Sequence, residues 1–248
     1  MKVREYHPDE AETVVLLHGG TVAGWMWAQQ LSALAGYRVL VPDLPGFGDS
    51  NYLRWLSIAD TADEVSKVIE GPAHIVGLSL GSSVAIHLAA RHPALVEDLL
   101  LASTTVTRPS LTERVLGRAM LGFWNMEWFW RGLARAYMLP ADSVDLFVTT
   151  GLGIDKSTAV SIFEEATRGT PTSLLEAIAA PTLVVVGTKD SASVARDSYR
   201  MLEATIPNVR AARAQGLHHA WNIEAPELFN DTMLAWVGRG TVAEGLHG

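Results

Sequence analysis

Length, composition and charge limit what this chain can be. Its 248 residues, 48% of them hydrophobic, suffice for one globular domain with a full core. The formal net charge of −8 argues against a surface for nucleic acid or anionic membrane, and the absence of cysteine excludes disulfides and thiol chemistry. The N-terminus lacks an apolar signal core, and no apolar run reaches the roughly 18 residues of a membrane span. We therefore expect a cytoplasmic protein with no nucleic-acid or membrane partner.

Strand-like apolar runs alternate with helical stretches along the chain. Six runs are predicted as strands: Thr13–Leu17, Arg38–Pro42, Ala73–Leu78, Asp98–Ala102, Thr182–Gly187 and Val209–Ala214. Five stretches are predicted as helices: Trp25–Ala35, Ser57–Glu70, Leu80–Arg91, Ala192–Thr205 and Pro226–Val237. This alternation is typical of an α/β fold with a mostly parallel, doubly wound sheet. The Gly-rich tail, 238–248, is predicted to be loose.

The alternation stops between residues 105 and 179, where the chain becomes helical and rich in Trp, Met and Phe. We therefore divide the chain into an α/β core, 1–104 and 180–248, and a helical cap, 105–179. Trp124 and Trp128 lie four residues apart and are predicted to share one helical face. They either line an apolar pocket over the sheet or pack the cap onto the core, and the sequence leaves both interpretations open.

Residues 77–81 read Gly-Leu-Ser-Leu-Gly and fall where a predicted strand hands over to a predicted helix. In that context the pattern indicates a nucleophile elbow. Such a turn is so tight that the serine backbone is strained, and the flanking residues must be small because strand and helix nearly touch. The side chain of Ser79 then stands above the sheet edge as a candidate nucleophile.

A serine nucleophile needs a base, an orienting acid and an oxyanion hole. In this topology the acid and then the histidine follow the serine along the chain. Asp190 comes just after a predicted strand, and His218 and His219 lie in the loop before the last predicted helix. Upstream, the first predicted strand ends in His-Gly-Gly at 18–20, so the N–H of Gly20 is placed to complete an oxyanion hole.

With these motifs the chain resembles the α/β-hydrolase superfamily in its single-domain form with a helical cap. The resemblance rests on His-Gly-Gly at 18–20, Pro-Asp-Leu-Pro-Gly-Phe-Gly-Asp-Ser at 42–50, the elbow at 77–81, Gly-Thr-Lys-Asp at 187–190, and His219 followed by Glu224 and Pro226. It implies that the cap is inserted after the sixth strand of the family. The family spacing from histidine to Glu and Pro also implies that His219, rather than His218, is the base. Ser82 stands where many members have glycine, and a residue this small still fits.

The motifs and the resemblance predict a serine hydrolase that cleaves an ester or thioester of a small to medium, largely apolar substrate. Ser79 attacks, His219 takes its proton under the orientation of Asp190, and the N–H groups of Gly20 and Leu80 hold the oxyanion. We expect no metal and no cofactor, because the chain has no ligand cluster, dinucleotide fingerprint or phosphate loop. The predicted partner is a small-molecule substrate, and the oligomeric state is left open.

Other chemistry stays open on the same fold, because a fold does not determine its reaction. The alternatives are a carbon–carbon bond hydrolase, a lyase like the menaquinone-pathway synthase, a cofactor-free haloperoxidase or perhydrolase, and a slow-turnover ligand receptor. A polyanionic substrate would need basic residues near the pocket. The predicted cap carries six arginines: Arg108, Arg114, Arg118, Arg131, Arg135 and Arg168.

Overall fold

A twisted β-sheet of seven strands forms the centre of the molecule in the computed structural model, which describes residues 1–248. The strands are β1 (Val3–Tyr6), β2 (Thr13–Leu17), β3 (Arg38–Pro42), β4 (Ala73–Leu78), β5 (Val96–Ala102), β6 (Thr182–Gly187) and β7 (Val209–Ala214). Their order across the sheet is β1-β3-β2-β4-β5-β6-β7, and all neighbouring pairs are parallel except β1 with β3. The mostly parallel α/β sheet predicted from the sequence is therefore confirmed.

Ten α-helices accompany the sheet. They are α1 (Ile58–Ser66), α2 (Leu80–Arg91), α3 (Leu111–Met120), α4 (Glu127–Ala136), α5 (Val144–Gly153), α6 (Lys156–Ala166), α7 (Thr172–Glu176), α8 (Tyr199–Thr205), α9 (Trp221–Glu224) and α10 (Pro226–Arg239). Helices α3 to α7 come between β5 and β6, the fifth and sixth strands of this sheet. We call residues 105–179, which contain them, the helical insertion. None of the helices is long and apolar enough to cross a membrane.

The six predicted strands all form, and the four central ones are apolar runs that are almost entirely buried, whereas β7 at the sheet edge is only partly buried. The sequence analysis missed β1, whose residues Val-Arg-Glu-Tyr are only partly buried at the sheet edge. Its Arg4 forms ion pairs with Asp43 and Asp49 on the loop that follows β3. Edge strands held by such polar contacts carry a weak apolar signal.

Two predicted helices have a different local form. The stretch predicted as a helix over Trp25–Ala35 consists of two short 3-10 turns, and the side-chain amide of Asn222 donates to the carbonyl of Met26 in the first of them, 3.2 Å away. Within the stretch predicted as Ala192–Thr205, α8 is preceded by one π-helical turn, Ser193–Ser198. The hydroxyl of Ser198 accepts the N–H groups of two residues at the start of the insertion, so this turn anchors the insertion to the core.

The C-terminal tail is docked rather than loose, and the prediction of a loose tail is wrong. Ala243 is buried, and the backbones of His247 and Arg213 exchange two hydrogen bonds of 2.7 and 3.1 Å. Arg213 lies on β7, the free edge of the sheet. A sheet edge leaves backbone donors and acceptors without partners, and the tail satisfies two of them.

The helical insertion has an aromatic core of its own. Trp130 is fully buried, lies 4.7 Å between ring centroids from Trp124, and 5.6 Å from Phe147. Gly151 on α5 faces the same indole, and any side chain there would collide with it. The insertion is joined to the core through Glu165, whose carboxylate accepts the N–H of Ile58 at 3.0 Å. The insertion is thus a packed unit resting on the carboxyl ends of the strands, where polar side chains gather.

Candidate active site

Ser79 sits in the turn between β4 and α2 with a strained backbone. Its φ of 55° and ψ of −113° lie outside the regions that non-glycine residues ordinarily adopt. The turn is held by the N–H of Ser79, which donates to the carbonyl of Ala102 on the neighbouring strand at 2.9 Å. Strain of this kind persists only where the surroundings determine it, and here it points the serine into a cavity.

Steric crowding explains the small residues around the serine. A Cβ on Gly77 would lie 2.6 Å from the backbone nitrogen of Ser82, and one on Gly81 would overlap the carbonyl of Leu17. Ser82, the departure from the family pattern, is accommodated because its hydroxyl donates to the carbonyl of Gly77 at 2.7 Å. The strand and helix therefore approach as closely as the sequence pattern predicted.

The structure brings Asp190 and His219 together beside the cavity that Ser79 lines. Nδ1 of His219 lies 2.7 Å from Oδ2 of Asp190, whose side chain is only 5% exposed. The other carboxylate oxygen accepts the N–H of Ser191 at 2.7 Å, which fixes the orientation of the acid. A carboxylate can only accept here, so Nδ1 of His219 carries the proton and Nε2 is free to accept one.

His218 is held away from this pair by Glu224. The carboxylate accepts the backbone N–H of His218 at 2.7 Å and lies 2.9 Å from Nδ1 of its ring. His219 lines the cavity and His218 does not. The glutamate of the family spacing therefore clamps the loop one residue before the histidine that reaches the cavity.

The loop after β2 presents backbone N–H groups beside Ser79. The N–H of Gly20 and the N–H of Leu80, the first residue of α2, have no hydrogen-bond partner within the protein. The loop is held by buried His18, whose Nδ1 donates to the carbonyl of Gly19 at 2.8 Å while its Nε2 accepts the N–H of Leu44 at 2.9 Å. Burial lowers the pKa of His18 to about 4, so the ring is neutral at pH 7 and cannot serve as a charged group in the site.

The cavity above Ser79 has a volume of about 480 Å³, within the usual range for small-molecule sites. The core supplies its floor, and the insertion supplies most of its apolar wall. Wall residues from the insertion include Met120, Leu121, Trp124, Leu139, Ile162 and Phe163. A cavity with this lining suits an apolar group of modest size next to a reactive serine.

The two tryptophans singled out by spacing have different positions. Trp124 is buried, lines the cavity, and donates from its indole N–H to the carbonyl of Ile154 at 3.0 Å. Trp128 is 61% exposed and lies outside the cavity, where it packs on Phe123. The 3-10 segment Leu121–Phe123 ends at Trp124, and a new helix starts at Glu127 after Met126 in an extended conformation, which removes the shared face that unbroken helical spacing predicted. Trp128 therefore does not line the pocket, contrary to the prediction from its spacing.

The sequence analysis did not identify two residues that contribute to the site, Tyr137 and Glu113. Tyr137, at the end of α4, stacks on the ring of His219 with centroids 6.3 Å apart and planes 29° apart. Burial raises the pKa of Tyr137, so its phenol stays protonated at neutral pH. The second is Glu113 on α3, whose carboxylate accepts the hydroxyl of Ser193 at 2.8 Å and so links the insertion to the loop after Asp190. Nothing in their spacing distinguishes either residue from surface polar and aromatic residues.

Two histidines outside the site have acidic partners. Nδ1 of His74 lies 2.7 Å from Asp98, and Nε2 of His92 lies 2.7 Å from Asp63. Neither pair is joined by a third ligand, and no group of three or more histidine, aspartate or glutamate side chains is arranged to hold a metal ion. The polar groups around Ser79 thus form a hydrogen-bonded line of acid and base beside free N–H donors, which is suited to acyl transfer.

Comparison with known proteins agrees with this geometry. Residues 14–232 match the sequence profile of the alpha/beta hydrolase family. The chain belongs to that family. Its similarity extends over nearly the whole chain to an AB hydrolase superfamily protein of Gibberella zeae, 29% identical in an alignment 242 residues long that covers 93% of this chain and 82% of that protein.

Part of the chain is similar to named esterases. A pimeloyl-[acyl-carrier protein] methyl ester esterase of Neisseria meningitidis serogroup B is 40% identical over 102 residues. The match covers 41% of this hydrolase and only about two fifths, 40%, of the length of that esterase. Among solved structures, the enol-lactonase of Burkholderia xenovorans LB400 superposes with a TM-score of 0.81 at 24% identity, covering 96% of each chain. That likeness shows the fold, and the family match together with the relatives shows an enzyme of the alpha/beta hydrolase type.

Proposed function

We propose that this alpha/beta hydrolase cleaves an ester or thioester of a small to medium, largely apolar acid through a Ser79–His219–Asp190 triad. The observation that carries the proposal is the 2.7 Å contact of His219 with Asp190 at the wall of the cavity that strained Ser79 also lines. The similarity to ester hydrolases supports the same class of reaction.

In the proposed reaction Nε2 of His219 accepts the proton of Ser79 as Oγ attacks the substrate carbonyl. The carboxylate of Asp190 holds the ring in the tautomer that leaves Nε2 free, and stabilises the imidazolium that forms. The imidazolium then donates its proton to the leaving alcohol or thiol. Water, deprotonated by His219, attacks the acyl-enzyme and releases the acid.

Charge that develops on the carbonyl oxygen requires donors that are already in place. The unpartnered N–H groups of Gly20 and Leu80 are the proposed donors, and α2 begins at Leu80 with its positive dipole end toward the same point. One such donor is worth about 10² to 10³ in rate in a well-studied protease. The bond between His18 and the Gly19 carbonyl keeps the Gly20 amide in position.

The helical insertion is proposed to act as a cap that selects the acyl group. Its Trp124 and Phe163 close the apolar wall of the cavity, while Tyr137 covers the ring of His219. A wall of this kind favours hydrocarbon over charged acyl groups, at about 0.8 kcal/mol for each methylene buried. We propose 105–179 as the cap, with 1–104 and 180–248 as the catalytic core.

The proposal is tested with a fluorophosphonate probe and a series of p-nitrophenyl esters of increasing acyl length. We expect the probe to label the wild-type protein and to leave Ser79→Ala unlabelled, with ester hydrolysis reduced by orders of magnitude. Ser83→Ala is the matched control, because Ser83 lines the same cavity and is not at the elbow turn. Equal labelling of Ser79→Ala, or loss of labelling in Ser83→Ala alone, would overturn the assignment.

A further inference from the structure

A second recess, of about 570 Å³, opens on the insertion beside the catalytic cavity. Its lining comes from α3, the end of α6 and the segments next to them. Four of the lining residues are arginines: Arg108, Arg114, Arg118 and Arg168. Glu164 is the single acidic residue in the lining, so the recess carries an excess of three positive charges.

None of these four guanidinium groups forms an ion pair with a carboxylate within 4.0 Å. Arg131 on the same insertion, by contrast, forms ion pairs with Glu127 and Asp145. Glu165 lies nearby, but its carboxylate is engaged by the N–H of Ile58. Concentrating like charges without partners opposes folding through mutual repulsion, and it does so here on a protein of net charge −8. The arrangement therefore points to an anion supplied from outside.

The recess and the catalytic cavity adjoin each other. Arg114, Phe163 and Thr167 line both, and Ser79 and His219 line the cavity. One molecule can therefore place a reactive carbonyl near Ser79 and an anionic group among the arginines. The apolar wall of the cavity and the basic wall of the recess would then bind two chemically different ends of the same substrate.

We infer that the arginine recess binds the phosphate end of a substrate whose ester or thioester lies at Ser79, an inference that rests on the proposed function. Phosphate suits four guanidinium groups better than a carboxylate does, because it offers more acceptor oxygens and up to two negative charges. Arginine also matches its geometry with paired N–H donors. The substrate class is then an apolar acyl group joined to a phosphate-bearing alcohol or thiol.

The test compares two thioesters that share an acyl group, one with phosphates and one without; they differ also in the pantothenate and adenosine groups, so the arginine variants isolate the contribution of the phosphates. Butyryl-coenzyme A carries phosphates on the thiol side, and butyryl-N-acetylcysteamine carries none. We expect wild-type protein to prefer the coenzyme A thioester in kcat/KM, and the preference to weaken as sodium chloride screens the arginines. In the double variant Arg118→Gln/Arg168→Gln the preference should fall at least about tenfold, as expected for losing charged hydrogen bonds.

Arg135→Gln is the matched control, because Arg135 is an exposed insertion arginine that lines neither the cavity nor the recess. It should keep the wild-type preference. Calorimetric binding of butyryl-coenzyme A to Ser79→Ala, with and without the two recess substitutions, supplies a readout that needs no catalysis. Both recess arginines are exposed, so thermal unfolding near that of the parent protein verifies that the variants fold.

The outcomes separate this inference from the proposed function. Arginine-dependent binding to Ser79→Ala, when the wild-type protein hydrolyses neither thioester nor the p-nitrophenyl esters and is not labelled by the probe, would support the recess and refute the triad. Hydrolysis of both thioesters with equal kcat/KM, or a preference that survives in the double variant, would overturn the phosphate recess and leave the triad standing. A drop in preference as large in Arg135→Gln as in the double variant would also overturn it, since general surface charge would then explain the effect.

Discussion

His218 and His219 are adjacent in the chain, yet they have different acidic partners. His219 pairs with Asp190 at the cavity, and His218 pairs with Glu224 behind it. We predict that His219→Ala lowers kcat by about 10⁴ to 10⁶, as removal of a triad histidine does, because no other free imidazole lines the cavity. His218→Ala should lower kcat less than about tenfold, because the backbone N–H of residue 218 still binds Glu224. Steady-state kinetics on one p-nitrophenyl ester compares the two variants.

The conservative change Glu224→Gln serves as a control for the same loop. It keeps an acceptor for the N–H of His218 and removes only the carboxylate charge. If it reduced kcat as strongly as His219→Ala, the charge at 224 rather than at 190 would be orienting the base, and our assignment of the acid would be wrong.

At the scale of single residues, the sequence nominated the candidate groups whose position follows from chain order. Ser79, Asp190 and His219 each follow a strand or precede a helix at a fixed place in the topology, so pattern was sufficient to nominate them. Tyr137 could not be nominated in this way, because its contact with His219 depends on where α4 ends over the core. Contacts that depend on how the insertion packs on the core leave no local periodicity.

The elements of the insertion determine which aromatic groups reach the cavity. Trp124 lies before α4 and faces the cavity, whereas Trp128 lies on α4 and faces solvent. We predict that Trp124→Leu extends the acyl chain that is hydrolysed efficiently, with kcat/KM rising about fourfold for each methylene newly buried, since each contributes about 0.8 kcal/mol. The matched change Trp128→Leu should leave the acyl-length profile unchanged. The ester series measures both.

Thermal unfolding measured beside the profile separates selection from stability. Trp124 donates a buried hydrogen bond to Ile154, so its replacement by a smaller residue should cost up to about 3 to 5 kcal/mol, while the exposed Trp128 should cost no more than about 1 kcal/mol. A Trp124→Leu protein that is less stable but keeps the wild-type profile would show that Trp124 only packs the insertion.

A short chain of hydrogen bonds joins the insertion to the loop after Asp190. The hydroxyl of Ser193 donates to Glu113 at 2.8 Å and lies 3.1 Å from the hydroxyl of Ser191. Hydrogen bonds from Ser110 and Ser193 hold the pKa of Glu113 below its usual range, so this link is present at neutral pH and is lost as acid protonates the carboxylate. We predict that Ser193→Ala increases hydrogen exchange of the α3 amides at pH 7 with little change in the global unfolding free energy. Unchanged exchange in α3 would show that the contact does not restrain the insertion.

The elements that sequence pattern predicted poorly share one physical feature. The strand β1, the two 3-10 turns after β2 and the docked tail are all set by partners distant in the chain, such as Asp43, Asn222 and Arg213. The central strands, by contrast, are apolar on both faces because helices cover both sides of a parallel sheet, and this leaves a continuous signal in the sequence. Local pattern therefore described the middle of the sheet well and its margins poorly.

Across the whole molecule, charge is distributed in opposition to its net value. The chain carries −8 overall, while the four arginines of the recess gather on the insertion beside the apolar cavity. Electrostatic attraction thus draws anions toward one end of a protein that otherwise repels them. The sequence shows six arginines within the insertion, but only the fold shows that four of them surround one recess and that Arg131 and Arg135 do not.

Stability of the whole molecule should depend on pH through His18. Its two ring nitrogens are satisfied only in the neutral form, because Nε2 accepts the N–H of Leu44 and a second proton there would place two donors face to face. Burial, which outweighs the hydrogen bond to Gly19 and the charge of Asp43, lowers the pKa in the folded protein to about 4. In the unfolded chain His18 binds a proton near pH 6.5, so the contribution of neutral His18 to stability is complete above that pH and is lost as pH falls toward 4.

For His18 alone we expect the free energy of unfolding to drop by about 2 kcal/mol from pH 7 to pH 5. Urea unfolding at the two pH values measures the total, and imidazole NMR isolates His18, whose ring should stay neutral in the folded protein at pH 5. A His18 resonance that titrates near pH 6.5 without unfolding would contradict the prediction, since the loop after β2 would then tolerate a charged ring.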